Sequence, residues 1–340
     1  MHYLILIGCI LTALGCSRLN KDNEPKSPPE TREEVQTQVA VYRPLLLSGL
    51  DQYGLVRMGG SLGDSALFSC LARVGGATDF DPMVLFLNGH PVRHPEIAPG
   101  ISATPWSKDM TNGLLWCAYD VGRKGDKEKA LEVTQALIDF GKAHADKTAG
   151  WYFCDDADRL NYAISDENWL GRCFQAPAVV KDIYRVHKWA GGACDNTCRY
   201  YSDVGVNIPG DTTGFARHLG VLTTVRNGLV DGALNDNSLS SLKKAAEAQP
   251  KNGLYLAAYH LFGDGDQALA FTALTNEALF PPAALPTAAN YKTDYLFQRD
   301  DDSAKGPGAD WLPDPTGGAL SEGRGVDFVF AASLALGEIF

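Results

Sequence analysis

The chain has 340 residues, of which 45% are apolar and 21% are charged, and its net charge is −11. This composition is typical of a soluble globular protein and supplies enough apolar side chains for a large core. The basic residues are scattered among more numerous carboxylates, which excludes nucleic acid as a partner.

The N-terminus has the pattern of a lipoprotein signal. An apolar run from Tyr3 to Leu14 is followed by small residues and Cys16, and the run is shorter than the ~20 residues that span a bilayer. We therefore expect an exported protein anchored to a bacterial membrane through lipid on Cys16; a membrane-anchoring helix is the alternative. Residues 17–36 are polar and contain prolines, which predicts a disordered tether. A single folded domain is expected over residues 37–340.

The cysteine count agrees with export. Of eight cysteines, Cys9 would leave with the signal and Cys16 would carry lipid, and an even number is typical of an oxidising compartment. Turn-forming Asp and Asn between Cys194 and Cys198 predict a disulfide that closes this short loop. Elimination then leaves two further pairs, Cys70 with Cys117 and Cys154 with Cys173. No second pair of ligands accompanies the Cys-x3-Cys spacing, so no metal site is predicted.

Apolar residues at helical spacing predict helices joined by loops, some of them long. In chain order the predicted helices are 39–50, 65–73, 109–121, 127–144, 167–189, 213–234, 238–248, 253–262, 267–279 and 326–336. Two hairpins share one design, because Asp126 and Asp266 each follow a glycine and are placed to cap the second helix. Only residues 83–87 have a strand-like pattern. The fold class predicted is mainly α, built from helix pairs.

Helical hairpins within one domain either stack as an open solenoid or close into a toroid. The sequence has no fixed period of the length typical of helical repeats, which favours closure. The Gly-Asp junctions at residues 122–127 and 263–267, and the segment Trp106-Ser107-Lys108-Asp109-Met110, resemble the six-hairpin (α/α)6 toroid group of carbohydrate-active proteins. The resemblance implies a cleft at one end of the toroid that accepts a sugar chain. Members of the group include hydrolases and lyases.

The densest group of polar residues lies in the proline-rich segment 75–106 and at the helix start that follows it. Glycoside hydrolysis uses two carboxyl groups, and Glu96 and Asp109 are eligible, with His94 as a further acid/base candidate. The alternatives are that Asp109 is a first-turn residue stabilised by the helix dipole and that His94 orders the loop. Three neighbours are candidates for binding substrate: Arg93, Trp106 and Lys108.

Two further polar clusters contain candidate site residues. Asp211 is a candidate catalytic carboxylate and His218 a candidate substrate ligand, although Asp211 also suits a helix N-cap. Near the C-terminus, Asp310 is a candidate catalytic carboxylate, and Trp311 is either a platform for a sugar ring or a core residue. Arg324 either binds substrate or pairs with the cap of the last helix.

These patterns predict an exported enzyme that hydrolyses glycosidic bonds in a polysaccharide or glycan by carboxylate general acid/base chemistry and acts as a monomer. A polysaccharide lyase is the alternative enzyme, in which His94, Arg93 and Asn112 would act on a uronate. A noncatalytic surface lipoprotein that binds a glycan or a protein is the third hypothesis. No cofactor is expected, because nucleotide-binding motifs are missing and no strand precedes the Gly-x-Ser-x-Gly at Ser61.

Overall fold

The computed structural model describes residues 29–57, 62, 64–97, 106–146, 150–152, 174–202, 214–277, 280–285 and 325–340. These residues are mainly helical, which confirms the predicted class. The helices, in chain order, are α1 Pro29–Ser48, α2 Ser65–Val74, α3 Lys108–Arg123, α4 Lys127–Ala143, α5 Pro177–Trp189, α6 Asn196–Ser202, α7 Gly214–Asp231, α8 Asp236–Ala248, α9 Gly253–Phe262, α10 Gln267–Leu274 and α11 Val326–Leu336.

The strands are short and antiparallel. In the first sheet β1 (Phe86–Leu87) pairs with β2 (His90–Pro91). A second sheet has the order β3-β4-β5, formed by Ala145–Asp146, Gly150–Tyr152 and Phe174–Gln175. The strand-like segment 83–87 is largely a 3-10 turn, Pro82–Leu85, that leads into β1.

The first helix begins inside the segment that was predicted to be a disordered tether. α1 starts at Pro29, where the fixed φ of proline suits the first helical position. Val35 is fully buried together with Val39 and Tyr42, so the apolar face extends one turn further back than the sequence suggests. The polar side chains between these positions face solvent and conceal the pattern.

Three other boundaries differ from the prediction. Residues 174–175 pair with β4, so α5 begins only at Pro177, and the earlier part of the predicted helix lies outside the described residues. α10 ends at Leu274, before residue 279, and α6 was not predicted at all. Both proposed aspartate caps are confirmed, because Asp126 accepts from the backbone N–H of Lys129 and Asp266 from that of Ala268.

The order of helix contacts decides where the interior lies. α2 packs on α3, α3 on α5, α5 on α7, α7 on α9, and α9 on α11. The last helix, α11, in turn packs against α2 and α1, near the opposite end of the chain. The side chains of α2 and α11 are almost entirely buried, so these helices lie within one hydrophobic core.

Two of the three predicted disulfides are confirmed. Cys70–Cys117 joins α2 to α3, and Cys194–Cys198 closes the loop into α6. The third pair, Cys154 with Cys173, and the lipidation residue Cys16 lie outside the described residues. Within the described part of the chain, no helix is both long and apolar enough to cross a bilayer.

Candidate functional site

The start of α3 is fixed by a buried hydrogen-bond chain. The indole N–H of Trp106 donates to Thr111 Oγ1 at 2.8 Å, and the Thr111 hydroxyl donates to Gln175 Oε1 at 2.9 Å. Trp106 is only 4% exposed, so its ring packs in the core and supports the helix start. In this arrangement its face is not presented to a sugar, unlike the predicted role.

Asp109 lies in the first turn of α3, two residues after the N-cap residue Ser107. The side chain is half-buried, and its Oδ1 atom is shielded from solvent. The positive end of the helix dipole stabilises a negative charge here. Lys108 beside it is exposed. The structure therefore places a carboxylate, with one oxygen buried, at the end of a core helix.

One turn further along the same face of α3, Asn112 enters a buried polar network that links three helices. The Arg226 guanidinium on α7 donates to Asn112 Oδ1 and to Asn227 Oδ1. Its Nη2 lies 3.4 Å from Asp182 Oδ2 on α5, and Asn227 Nδ2 donates to Asp182 Oδ1 at 2.9 Å. We call these four residues, Asn112, Asp182, Arg226 and Asn227, the α3–α5–α7 network.

Burial sets the charges in this network. Desolvation raises the pKa of Asp182, and the nearby Arg226 and Arg185 oppose that rise. Burial lowers the pKa of Arg226 to about 10, so the guanidinium stays positive at neutral pH. The pair is thus held by its own attraction and by amide hydrogen bonds, as a buried charge pair requires.

Two donors of the network are left over. Asn112 Nδ2 and Arg226 Nε are shielded from solvent and have no hydrogen-bond acceptor among the described residues. A buried donor without an acceptor costs about 1–3 kcal/mol. Both donors are therefore suited to an oxygen-rich ligand or to water that enters between the helices.

A second cluster joins two of the predicted residues to two that sequence analysis missed. His94 is fully buried; its Nδ1 accepts from the Glu96 backbone N–H at 3.1 Å, and its Nε2 donates to Asp51 Oδ2. Asp51 Oδ1 also accepts two backbone N–H groups of its own loop. Arg57 contacts both Glu96 carboxylate oxygens at 3.1 Å. Both ring nitrogens of His94 are thus engaged, which supports the loop-ordering interpretation.

The same cluster has the donor atoms of a metal site but not its electrostatics. Ligand atoms of Asp51, His94 and Glu96 lie within 4.8 Å of one another. Arg57 places a positive charge against both carboxylates. A metal on Nε2 would also have to displace the proton that His94 donates to Asp51. The cluster is a hydrogen-bonded loop anchor that fits a cation poorly.

The other predicted residues are dispersed. Arg93 Nη1 lies 3.9 Å from Asp64 Oδ1, beside the start of α2. His218 is fully buried on α7, with its ring 6.4 Å from that of Tyr255. Four predicted residues lie outside the described part of the chain: Asp211, Asp310, Trp311 and Arg324. No protein-family model matches the sequence, and no curated protein is significantly similar to it.

Sequence analysis named Asp109 but missed Arg226 and Asp182. Both are charged residues within otherwise apolar helical stretches, which is the one signal that was available. It identifies a site only when the helix phase is known, because the same residues one position away would face solvent.

Proposed function

We propose that this chain is an exported, lipid-anchored enzyme that hydrolyses glycosidic bonds in a polysaccharide or glycan. Its helices would form an (α/α) toroid whose inner ring is α2, α3, α5, α7, α9 and α11. The contacts from each of these helices to the next, and from α11 back to α2, support this closure. The two disulfides agree with an oxidising compartment outside the cytoplasm.

The observation that carries the proposal is the sequence of polar groups along α3. Asp109 lies at the helix start, and Asn112 lies one turn deeper with Arg226 against it. A sugar offers hydroxyl oxygens, which are the acceptors that Asn112 Nδ2 and Arg226 Nε lack among the described residues. A sugar bound over these donors would bring its glycosidic bond towards the carboxylate of Asp109.

Asp109 suits the ionised role in hydrolysis. The helix dipole stabilises its charged form, so it would activate water or attack the anomeric carbon. A second, protonated carboxyl group must assist the leaving group. Glu96 is engaged by Arg57 and would have to leave that ion pair, so Asp211 and Asp310 are the better candidates for the acid.

The contacts favour hydrolysis over elimination. A lyase needs a base with a free nitrogen and a cation or amide that binds the uronate carboxylate. His94 has both nitrogens engaged, and the side-chain oxygen of Asn112 is taken by Arg226. Arg93 lies near Asp64 instead. The residues that a lyase would use are therefore committed to separate structural contacts.

The test incubates the purified protein with neutral, uronate-containing and peptidoglycan-type glycans while reducing ends and ultraviolet absorbance are followed together. We expect new reducing ends without absorbance, and a loss of about 100-fold or more in Asp109→Asn. Asp126→Asn is the matched control, because it changes another helix-start aspartate to a residue that caps equally well. Both signals together would identify a lyase, and silence across the whole panel would favour a glycan-binding protein.

A further inference from the structure

A basic pocket lies on the side of α5 away from the start of α3, between α5, α6 and the end of α7. Its volume is about 440 Å³, within the range of small-molecule sites, about 300–1,000 Å³. Lys181, Arg185 and Lys188 all line it, and their spacing of four and three residues places them on one face of the helix. Asp231 is the one carboxylate among the described lining residues.

The positive charge of the pocket exceeds what its own carboxylate neutralises. Arg185 is committed, because its Nη1 lies 3.0 Å from Asp182 and its Nε 3.3 Å from Asp231. Lys188 is exposed, and Lys181 is half-buried. Two lysines thus add positive charge beside a fixed ion pair, in a chain whose net charge is −11.

The walls of the pocket are held in place before any ligand arrives. Trp189 is half-buried, with Lys127 Nζ 2.7 Å from its ring centroid and the Tyr119 ring 5.1 Å away. The Tyr184 hydroxyl donates to Asp195 at 3.3 Å. Cys198 is fixed by its disulfide. A preformed wall lowers the entropy cost of binding.

We propose that this pocket binds an acidic sugar residue through its carboxylate, as a glycan-binding site separate from Asp109. Lys181 and Lys188 would donate charge-assisted hydrogen bonds to the carboxylate, while Tyr184 and Trp189 provide an apolar wall for the ring. The nearby charge of Asp231 favours a monoanion over a phosphate dianion. The site does not depend on hydrolysis, so it would persist in Asp109→Asn.

The experiment measures binding of the full chain by calorimetry at low ionic strength. The probes are a trigalacturonate, the neutral galactose trimer of the same linkage, and a hexose phosphate. We expect the trigalacturonate to bind at least about ten-fold more tightly than the other two, and salt to weaken it. Lys181→Gln with Lys188→Gln should lower its affinity by about ten-fold or more, whereas Asp109→Asn should leave it unchanged.

The matched control is Lys243→Gln with Lys244→Gln on α8, which removes the same charge elsewhere on the surface. Equal losses in the two double variants would overturn the proposal, because a general charge effect would then explain the binding. Equal affinity for the neutral trimer, tighter binding of the hexose phosphate, or no binding of the trigalacturonate would overturn it as well. None of these outcomes depends on whether the chain hydrolyses glycans.

Discussion

Asp327 provides the sharpest test of the packing around the last helix. It lies in the first turn of α11 and is 1% exposed. Its Oδ1 accepts from the Phe328 backbone N–H at 2.9 Å, and its buried Oδ2 has no hydrogen-bond partner in the described ranges. Burial raises the pKa of this carboxyl group to about 7, although nearby backbone N–H groups oppose the rise.

The sign of the pH effect follows from this pKa. The unfolded chain loses the Asp327 proton at a pKa of about 3.9, whereas the folded chain holds it to about 7. Between these values the folded state binds more protons, so stability falls as the pH rises. Three pH units correspond to about 4 kcal/mol of unfolding free energy, fully present below pH 4 and lost above pH 7.

Asp327→Asn removes this titration but adds a buried amide donor. The donor costs about 1–3 kcal/mol, so the net gain expected at pH 8 is about 1–3 kcal/mol. At pH 4 the variant should be no more stable than the parent chain. Urea unfolding at the two pH values measures both differences. Asp236→Asn is the control, because Asp236 occupies the first turn of α8 and is exposed.

If the parent chain and Asp327→Asn lose stability in parallel from pH 4 to pH 8, the reasoning about Asp327 is wrong. A gain of similar size in Asp236→Asn would show that overall negative charge, and not burial, is responsible. Tyr42 lies close to Asp327, and burial raises its pKa further above the tested range. Its hydroxyl therefore stays neutral and does not contribute to the pH dependence.

Two further predictions concern the core. The Cys70–Cys117 disulfide closes a separation of 47 residues, so replacing both residues by alanine should lower the unfolding free energy in urea by about 3–4 kcal/mol; an unchanged midpoint would contradict this. A Cβ on Gly141 would lie 2.1 Å from the Trp151 ring, so Gly141→Ala should cost about 1–3 kcal/mol, whereas Gly49→Ala, at ordinary contact distances, should change stability by less than about 0.5 kcal/mol.

Local patterns in the sequence predicted most of the helices, because periodic apolar residues and turn chemistry act over a few residues. α9 and α11 begin and end where the pattern predicts, and Asp126 and Asp266 cap as expected. The short strand Phe174–Gln175 could not be predicted, since its partners in β4 are distant in sequence. Tertiary pairing there overrides the helical pattern.

The candidate site was predicted only in part for a similar reason. Asp109 could be found because a carboxylate beside a helix start has a local signature. Asp51 was missed because its role depends on a contact with His94, 43 residues away. The α3–α5–α7 network depends on three helices meeting in space, and no local pattern encodes that meeting.

The energetics of the network favour a functional role over a stabilising one. Arg226 and Asp182 are buried at the junction of α3, α5 and α7, and a buried ion pair is often no more stabilising than apolar residues of similar volume. Here the pair also orients Asn112, one turn below Asp109, and leaves a buried guanidinium N–H with no acceptor among the described residues. A network built only for stability would satisfy that donor, whereas a network that receives an oxygen-rich ligand would leave it available.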